Sequence, residues 1–194
     1  MNVYVVRHGL TDYNIQKIYQ GRVDVPLNEE GRKQAEETAQ KFKGIKIDNI
    51  LVSPLSRARD TASYIEEVTG VKAEIVDGLI ERGYGDMEGH SATPECNTPI
   101  LVDYDRNYNL HGVEPIKEMI ERVRVCLDQI MKKYKGKDIV LVTHAGVTQG
   151  IEIYFNGLPQ DKNIEKLTLK NCEVKKYENV KVHENVKVHE NVER

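Results

Sequence analysis

Arg7 and His8 follow a short apolar run, Val3-Tyr4-Val5-Val6, and Thr143-His144 follow a second, Asp138 to Val142. Arg57 lies in Ser53-Pro54-Leu55-Ser56-Arg57-Ala58, and Glu81-Arg82 precedes a long polar stretch. Gathered in one place, two histidines, two arginines and a carboxylate would make a pocket for phosphate chemistry. A guanidinium binds phosphate oxygens bidentately, which an ammonium cannot do. A helix N-terminus adds backbone N–H donors. Neutral imidazole is a competent nucleophile toward phosphorus, and neighbouring guanidinium charges hold it neutral.

The elements that must position these groups follow from the apolar pattern. Val3 to Val6 predicts a buried strand that ends at Arg7-His8-Gly9. Asn28 is a candidate N-cap for a helix from Glu29 to Phe42, with Ala35, Thr38, Ala39 and Phe42 facing inward. Ile47 to Val52 predicts a second strand. Ser53 is placed to cap the next helix, with Pro54 at its first position and Gly70 closing it. Ala73 to Val76 predicts a third strand. Val113, Ile116, Ile120, Val123, Leu127, Ile130 and Tyr134 form a continuous helical stripe, expected as core packing. Asp138 to Val142 is a fourth strand, followed by a helix to about Phe155. Leu167 to Leu169 and Glu173 to Tyr177 predict a terminal pair of strands. Strands alternating with helices imply an α/β fold with a mostly parallel sheet, whose sites lie beyond the strands' carboxyl ends. Arg7-His8 and His144 both fall at such ends.

The 194 residues suit one domain. The formal net charge of −3 argues against nucleic-acid binding driven by overall basicity. No run approaches the roughly 20 apolar residues of a membrane span, and the start does not read as a signal peptide. Cys96, Cys126 and Cys172 are odd in number and far apart, against a disulfide framework or a cysteine metal cluster; a reducing cytosol is the expected compartment. No metal or cofactor is called for. Residues 178–183 and 184–189 repeat Glu-Asn-Val-Lys-Val-His, a tail expected to be an appendage to a domain over residues 1–177. His183 and His189 in that tail are weak candidates for a metal site. No motif speaks to oligomeric state.

Further segments fall in order around the charged groups: Leu10-Thr11, Asn14, Gln20-Gly21, Pro26-Leu27, Gly31, Gln34-Ala35, Thr61-Ala62, Gly85, Glu88-Gly89 and Ala145-Gly146. Together these resemble the histidine phosphatase superfamily, also called phosphoglycerate mutase-like, over residues 1 to 177. The resemblance implies a three-layer α/β/α sandwich and a metal-independent phosphomonoesterase. It implies that His8 becomes phosphohistidine, that Arg7, Arg57 and His144 complete the phosphate pocket, and that Glu81 protonates the leaving oxygen. Asn14, Gln20, Gly21 and the backbone of Ala145 match phosphate contacts, and Arg82 is a further substrate-binding candidate. Two positions depart from the pattern. Leu10 stands where Glu or Gln is frequent, and Ala145 replaces a frequent Gly but retains its N–H.

The superfamily holds both hydrolases and phosphoglycerate mutases. The stretch Asp86 to Gly112, expected as an insertion over the site, carries five acidic residues against the single basic Arg106. That balance suits a small phosphomonoester with few other charges, not a polyanion. Tyr84, Tyr104 and Tyr108 offer flat or hydrogen-bonding contacts to a sugar or nucleoside-like group, such as α-ribazole 5′-phosphate or a sugar phosphate. His90 and His111 border the stretch as lesser candidates. The alternatives are a phosphoglycerate mutase and a non-catalytic phosphate-ligand-binding or scaffold protein. Neither the P-loop nor the dinucleotide-binding glycine motif is present.

Overall fold

The computed structural model describes residues 1–91 and 101–180. Five strands form one sheet: β1 (Val3–Arg7), β2 (Asn49–Val52), β3 (Ala73–Ile75), β4 (Ile139–Thr143) and β5 (Val174–Tyr177), in the order β3-β2-β4-β1-β5. The pairs β1/β4, β2/β4 and β2/β3 are parallel and β5 lies antiparallel against β1. All five residues of β4 are buried, as a strand covered on both faces requires.

Among the described residues, besides the single-turn helix α1 (Asp12–Ile15), four helices flank the sheet: α2 (Glu29–Gln40), α3 (Ser56–Thr69), α4 (Ile116–Lys133) and α5 (Ala145–Asn156). On one face Val6, Ile50, Val52 and Val142 pack with Ala39, Ala58, Ala62 and Ile65 of α2 and α3. On the other, Val3, Val5, Leu51 and Leu141 pack with Met119, Val123, Leu127 and Ile151 of α4 and α5. Two cores on one sheet make the three-layer sandwich, each buried aliphatic side chain contributing about 1.5–3 kcal/mol.

Three local expectations are corrected. The second flanking helix starts at Ser56, with Leu55 at its N-cap, and Ser53 caps nothing. Its first turn is served from the loop before α2 instead, where Asp24 Oδ1 accepts from Ser56 N at 2.7 Å. The apolar stripe begins its helix at Ile116, since Pro115 holds the residue before it extended, and Val113 pairs with Tyr84 outside the helix. Leu167 to Leu169 is not a strand. Its chain turns through a 3-10 segment, Glu165–Leu167, and Leu169 binds side chains on both its polar groups: its N–H donates to Thr148 Oγ1 and its carbonyl accepts from Arg7 Nη1. The chain thus climbs from the end of α5 back to the carboxyl end of β1, and β5 can only descend antiparallel. Of the repeat tail only residues 178–180 are described; the rest, with His183 and His189, lies outside the described residues, as does Cys96.

Candidate active site

In the parallel pair β1/β4, Arg7 is in register with Thr143, and His8 N donates to the Thr143 carbonyl at 2.9 Å. His8 and His144 therefore leave the sheet side by side, with ring centroids 5.1 Å apart and 2% and 0% exposed. His8 Nδ1 lies 2.7 Å from the carbonyl of Gly9. A carbonyl can only accept, so Nδ1 carries the proton and Nε2 keeps its lone pair. His144 Nε2 lies 2.6 Å from Ser53 Oγ. Ser53, expected as a cap, is thus a partner of the second histidine.

Arg57, on the first turn of α3, is fully buried, and donates through Nη1 to Val23 O at 2.9 Å and through Nη2 to Gly21 O at 2.8 Å. Arg7 Nη1 donates to Leu169 O at 2.8 Å. Among the described residues five buried side-chain N or O atoms lack a hydrogen-bond partner, and Arg7 Nε, Arg57 Nε and His144 Nδ1 are three of them. Native structures rarely leave buried donors unpaired, so this concentration marks a site built for an anion. Glu81 Oε1 accepts from Arg82 N at 2.8 Å and from Gly146 N at 3.1 Å. It thereby joins the start of α5.

Burial acts in opposite directions on these groups. It holds His8 well below the ordinary histidine range, reinforced by the Arg57 and Arg7 charges. It does the same to His144, aided by His8 and the same arginines. It raises Glu81, against the bonds and charges of Arg82, Arg57, Arg7 and Gly146. A neutral imidazole and a carboxyl that keeps its proton to higher pH than an ordinary glutamate suit acid-assisted phosphoryl transfer.

The loop that carries the remaining candidates is folded tightly onto His8. Gly9 N donates to Thr61 Oγ1 at 3.1 Å, tying the loop to α3. A Cβ on Gly31 would sit 2.0 Å from Leu10 O, and one on Gly9 would sit 2.4 Å from Gly31 O. The N-terminus of α2 can approach the loop only through these two glycines. Thr11 caps α1 in a capping box with Asn14, and its hydroxyl lies 2.9 Å from Gln20 Oε1. Gly21 (φ +51°) lies against Glu88, whose Oε1 accepts from Arg22 N at 3.0 Å and Tyr84 N at 2.9 Å. Ala145 opens α5 directly after His144, so its N–H is among the helix's unbonded N-terminal donors.

Arg82 is placed differently. It is 2% exposed, but donates through Nε to Glu114 O at 2.7 Å and through Nη1 to Leu101 O at 2.6 Å, and stacks 5.4 Å from the Tyr84 ring. It holds a small cluster in which Tyr19, Leu101 and Val113 pack with Tyr84, Met87 and Tyr108. Arg59, His90 and His111 are exposed. Missed in the sequence were Thr61 and Ser53 as partners of the histidine segments; both stand in the quoted segment around Arg57, where each also reads as a helix residue. Among the described residues no group of three or more His, Cys, Asp and Glu could hold a metal ion.

The family model of the histidine phosphatase superfamily (branch 1) matches residues 3–191. The chain belongs to the histidine phosphatase superfamily. This histidine phosphatase is 33% identical over 158 residues to the uncharacterized phosphatase PhoE of Bacillus subtilis, covering 80% of the chain and 77% of that protein. It is 34% identical over 173 residues to phosphoglycerate mutase-like protein 4 of Arabidopsis thaliana, covering 85% and 74%. Among solved structures it resembles a mycobacterial glucosyl-3-phosphoglycerate phosphatase in complex with VO3, with a TM-score of 0.79, 28% identity and coverage of 90% and 91%. Taken together, relatives and structural neighbours support a phosphatase, a hydrolase, over a mutase or a non-catalytic binding protein.

Proposed function

We propose that this chain hydrolyses a small phosphomonoester through a phosphohistidine on His8. The observation that carries the reading is the Nδ1–Gly9 bond, which leaves the Nε2 lone pair beside His144, the buried Arg57 and the partly buried Arg7. The phosphoryl oxygens are held by Arg7, Arg57, His144, the Asn14 and Gln20 amides and the backbone of Gly21 and Ala145. Ser53 donates to His144 Nε2, so that Nδ1 carries a proton for a phosphoryl oxygen. His8 Nε2 attacks phosphorus in line, the P–O bond to the alcohol breaks, and Glu81 gives its proton to the departing oxygen. Positive groups around the equatorial oxygens stabilise the loose transition state. Water then attacks the phosphohistidine, Glu81 takes the water proton, and inorganic phosphate leaves with His8 neutral again. No step requires a metal.

The alcohol part of the substrate rests against Tyr84 and Tyr108 in the segment above the pocket, with Arg82 fixing that segment by its backbone carbonyls. A substrate with one phosphate and few other charges is the best match, because Glu114 already neutralises Arg22 and Arg122 near this wall. The acting unit is residues 1–177, in a reducing cytosol consistent with the buried free thiols of Cys126 and Cys172.

The test is phosphate release in EDTA from 4-nitrophenyl phosphate and a panel of sugar, nucleoside and hydroxy-acid monophosphates, beside His8→Ala. Release by the wild type and none by the variant supports the reading. Phosphoryl exchange between phosphoglycerates without release overturns it in favour of a mutase.

A further inference from the structure

The turn from Leu169 to Glu173 grips the nucleophile segment at several points. Cys172 N donates to Arg7 O at 2.9 Å, and Arg7 N donates to Glu173 O at 3.4 Å. Between them, the Asn171 side-chain amide nitrogen lies 2.9 Å from His8 O, 3.3 Å from Gly9 O and 3.3 Å from Asn14 Oδ1. The Gly9 carbonyl is the same oxygen that receives the His8 Nδ1 proton. One amide thus touches the carbonyls of both His8 and Gly9, and reaches the Asn14 side chain as well.

The turn is itself held in place. Cys172 adopts φ +57°, and its carbonyl accepts from the buried Thr38 Oγ1 of α2 at 3.0 Å. Lys170 N donates to Glu173 Oε2 at 2.7 Å, and Glu173 N returns a bond to Lys170 O at 3.0 Å. A left-handed non-glycine residue persists where surrounding structure over-determines it. Here the two bonds on Cys172 and the closed Lys170–Glu173 turn supply that constraint.

We propose that Asn171 is a positioning residue for the nucleophile: its carboxamide fixes the His8 and Gly9 carbonyls so that Gly9 O takes the Nδ1 proton, keeping the attacking lone pair on Nε2. A ring whose Nδ1–H loses its acceptor can shift its proton to Nε2, and the lone pair then sits on the wrong nitrogen. The inference rests on His8 as nucleophile, and it adds a residue that touches neither substrate nor the reacting atoms.

The experiment is 15N NMR of histidine-labelled full chain, His8 being assigned by its loss in His8→Ala, together with steady-state kinetics on 4-nitrophenyl phosphate. The wild type is expected to show His8 protonated at Nδ1. Asn171→Leu, which keeps the volume and removes both donors, is expected to populate the Nε2–H tautomer. It should also lower kcat about 30- to 100-fold while KM changes little. Thr38→Val, acting one bond further back, should shift the tautomer in the same direction with a smaller loss, and it carries the test if Asn171→Leu does not fold. An unchanged His8 tautomer in the variants overturns the proposal, and so does a kcat for Asn171→Leu within about threefold of wild type. Full turnover by His8→Ala would instead overturn the nucleophile assignment. The tautomer measurement needs no turnover and separates that failure from failure of the Asn171 contact.

Discussion

Around His8 and His144 the polar groups are bonded to backbone from four separate elements, whereas the described parts of the stretch 84–114 (84–91 and 101–114) are held by an aromatic cluster, two arginines and exposed ion pairs. On the pocket side Arg57 binds Gly21 O and Val23 O, Thr61 binds Gly9 N, and the Gly9–Gly31 contact admits no side chain at either position. On the opposite wall the Lys162–Asp105 pair is half exposed, and Lys117 merely rides over the Tyr104 ring at 5.1 Å. Exposed pairs of that kind contribute about 0–1 kcal/mol. On the proposed function the pocket takes the constant phosphoryl group and the segment the varying alcohol; the segment is anchored by the buried Arg82 bonds to Leu101 O and Glu114 O, and its exposed pairs can be changed at small cost. The proposed function makes chemistry and specificity separable, so each can be attacked alone.

The largest effect should come from the pocket. His8→Ala is expected to lower kcat by about 10⁴-fold or more, read as loss of phosphate release and of an acid-labile phosphoryl group on the protein. Arg57→Lys keeps the charge but loses the fork that spans Gly21 and Val23, and should lower kcat/KM about 10²- to 10³-fold. Equal losses from Tyr84→Ala would erase the distinction between the two sides.

Glu81 stands at the boundary, and its pH dependence sharpens the contrast. Burial raises its pKa, so the protonated acid survives to higher pH than an ordinary glutamate. The acid form is needed in the first step; kcat/KM should therefore fall as pH rises through that raised value. Glu81→Gln should remove this limb and slow alkyl phosphates about 10²-fold, with a smaller effect on 4-nitrophenyl phosphate, whose leaving group needs little protonation. His8, held below the ordinary histidine range, should add a loss of activity on the acid side. A pH profile unchanged in Glu81→Gln would assign the proton to another group.

Changes in the wall should move KM more than kcat. Tyr84→Phe and Tyr108→Ala are each expected to change KM about two- to tenfold with kcat within twofold, and to reorder the substrate panel. Burial pushes the Tyr84 hydroxyl up to about 12, so it remains a neutral donor across the working range and adds no limb of its own. The smallest effect is expected at the far end of the sheet. Val180 N donates to Met1 O beyond the start of β1, the end opposite His8. Removing residues 181–194 should leave kcat unchanged and shift Tm by no more than about 2 °C; a larger loss would show that the repeats pack on the body.

Much of this was legible in the amino-acid order. The alternation of apolar runs with helical stripes led to the layered α/β fold, and the positions of Arg7-His8 and Thr143-His144 after strands placed them at one edge of the sheet. Such features are local: a strand end or a 3.6-residue stripe is written within a dozen residues. The failures came where a residue had two possible partners. Ser53 reads as a cap from its neighbours, yet its hydroxyl meets His144 across 91 positions. Leu167 to Leu169 has strand-like composition, yet its carbonyl and N–H meet Arg7 and Thr148 instead of a neighbouring strand.

Periodicity and strand-end chemistry thus specify which residues can form the pocket, because those signals depend on the chain's nearest neighbours. Which donor meets which acceptor depends on segments brought together by burial of the two cores. Asn171 and His8 are separated by 163 positions, and no pattern in either segment encodes the 2.9 Å contact between them. That contact arises because β5 descends beside β1 and carries the preceding turn onto His8.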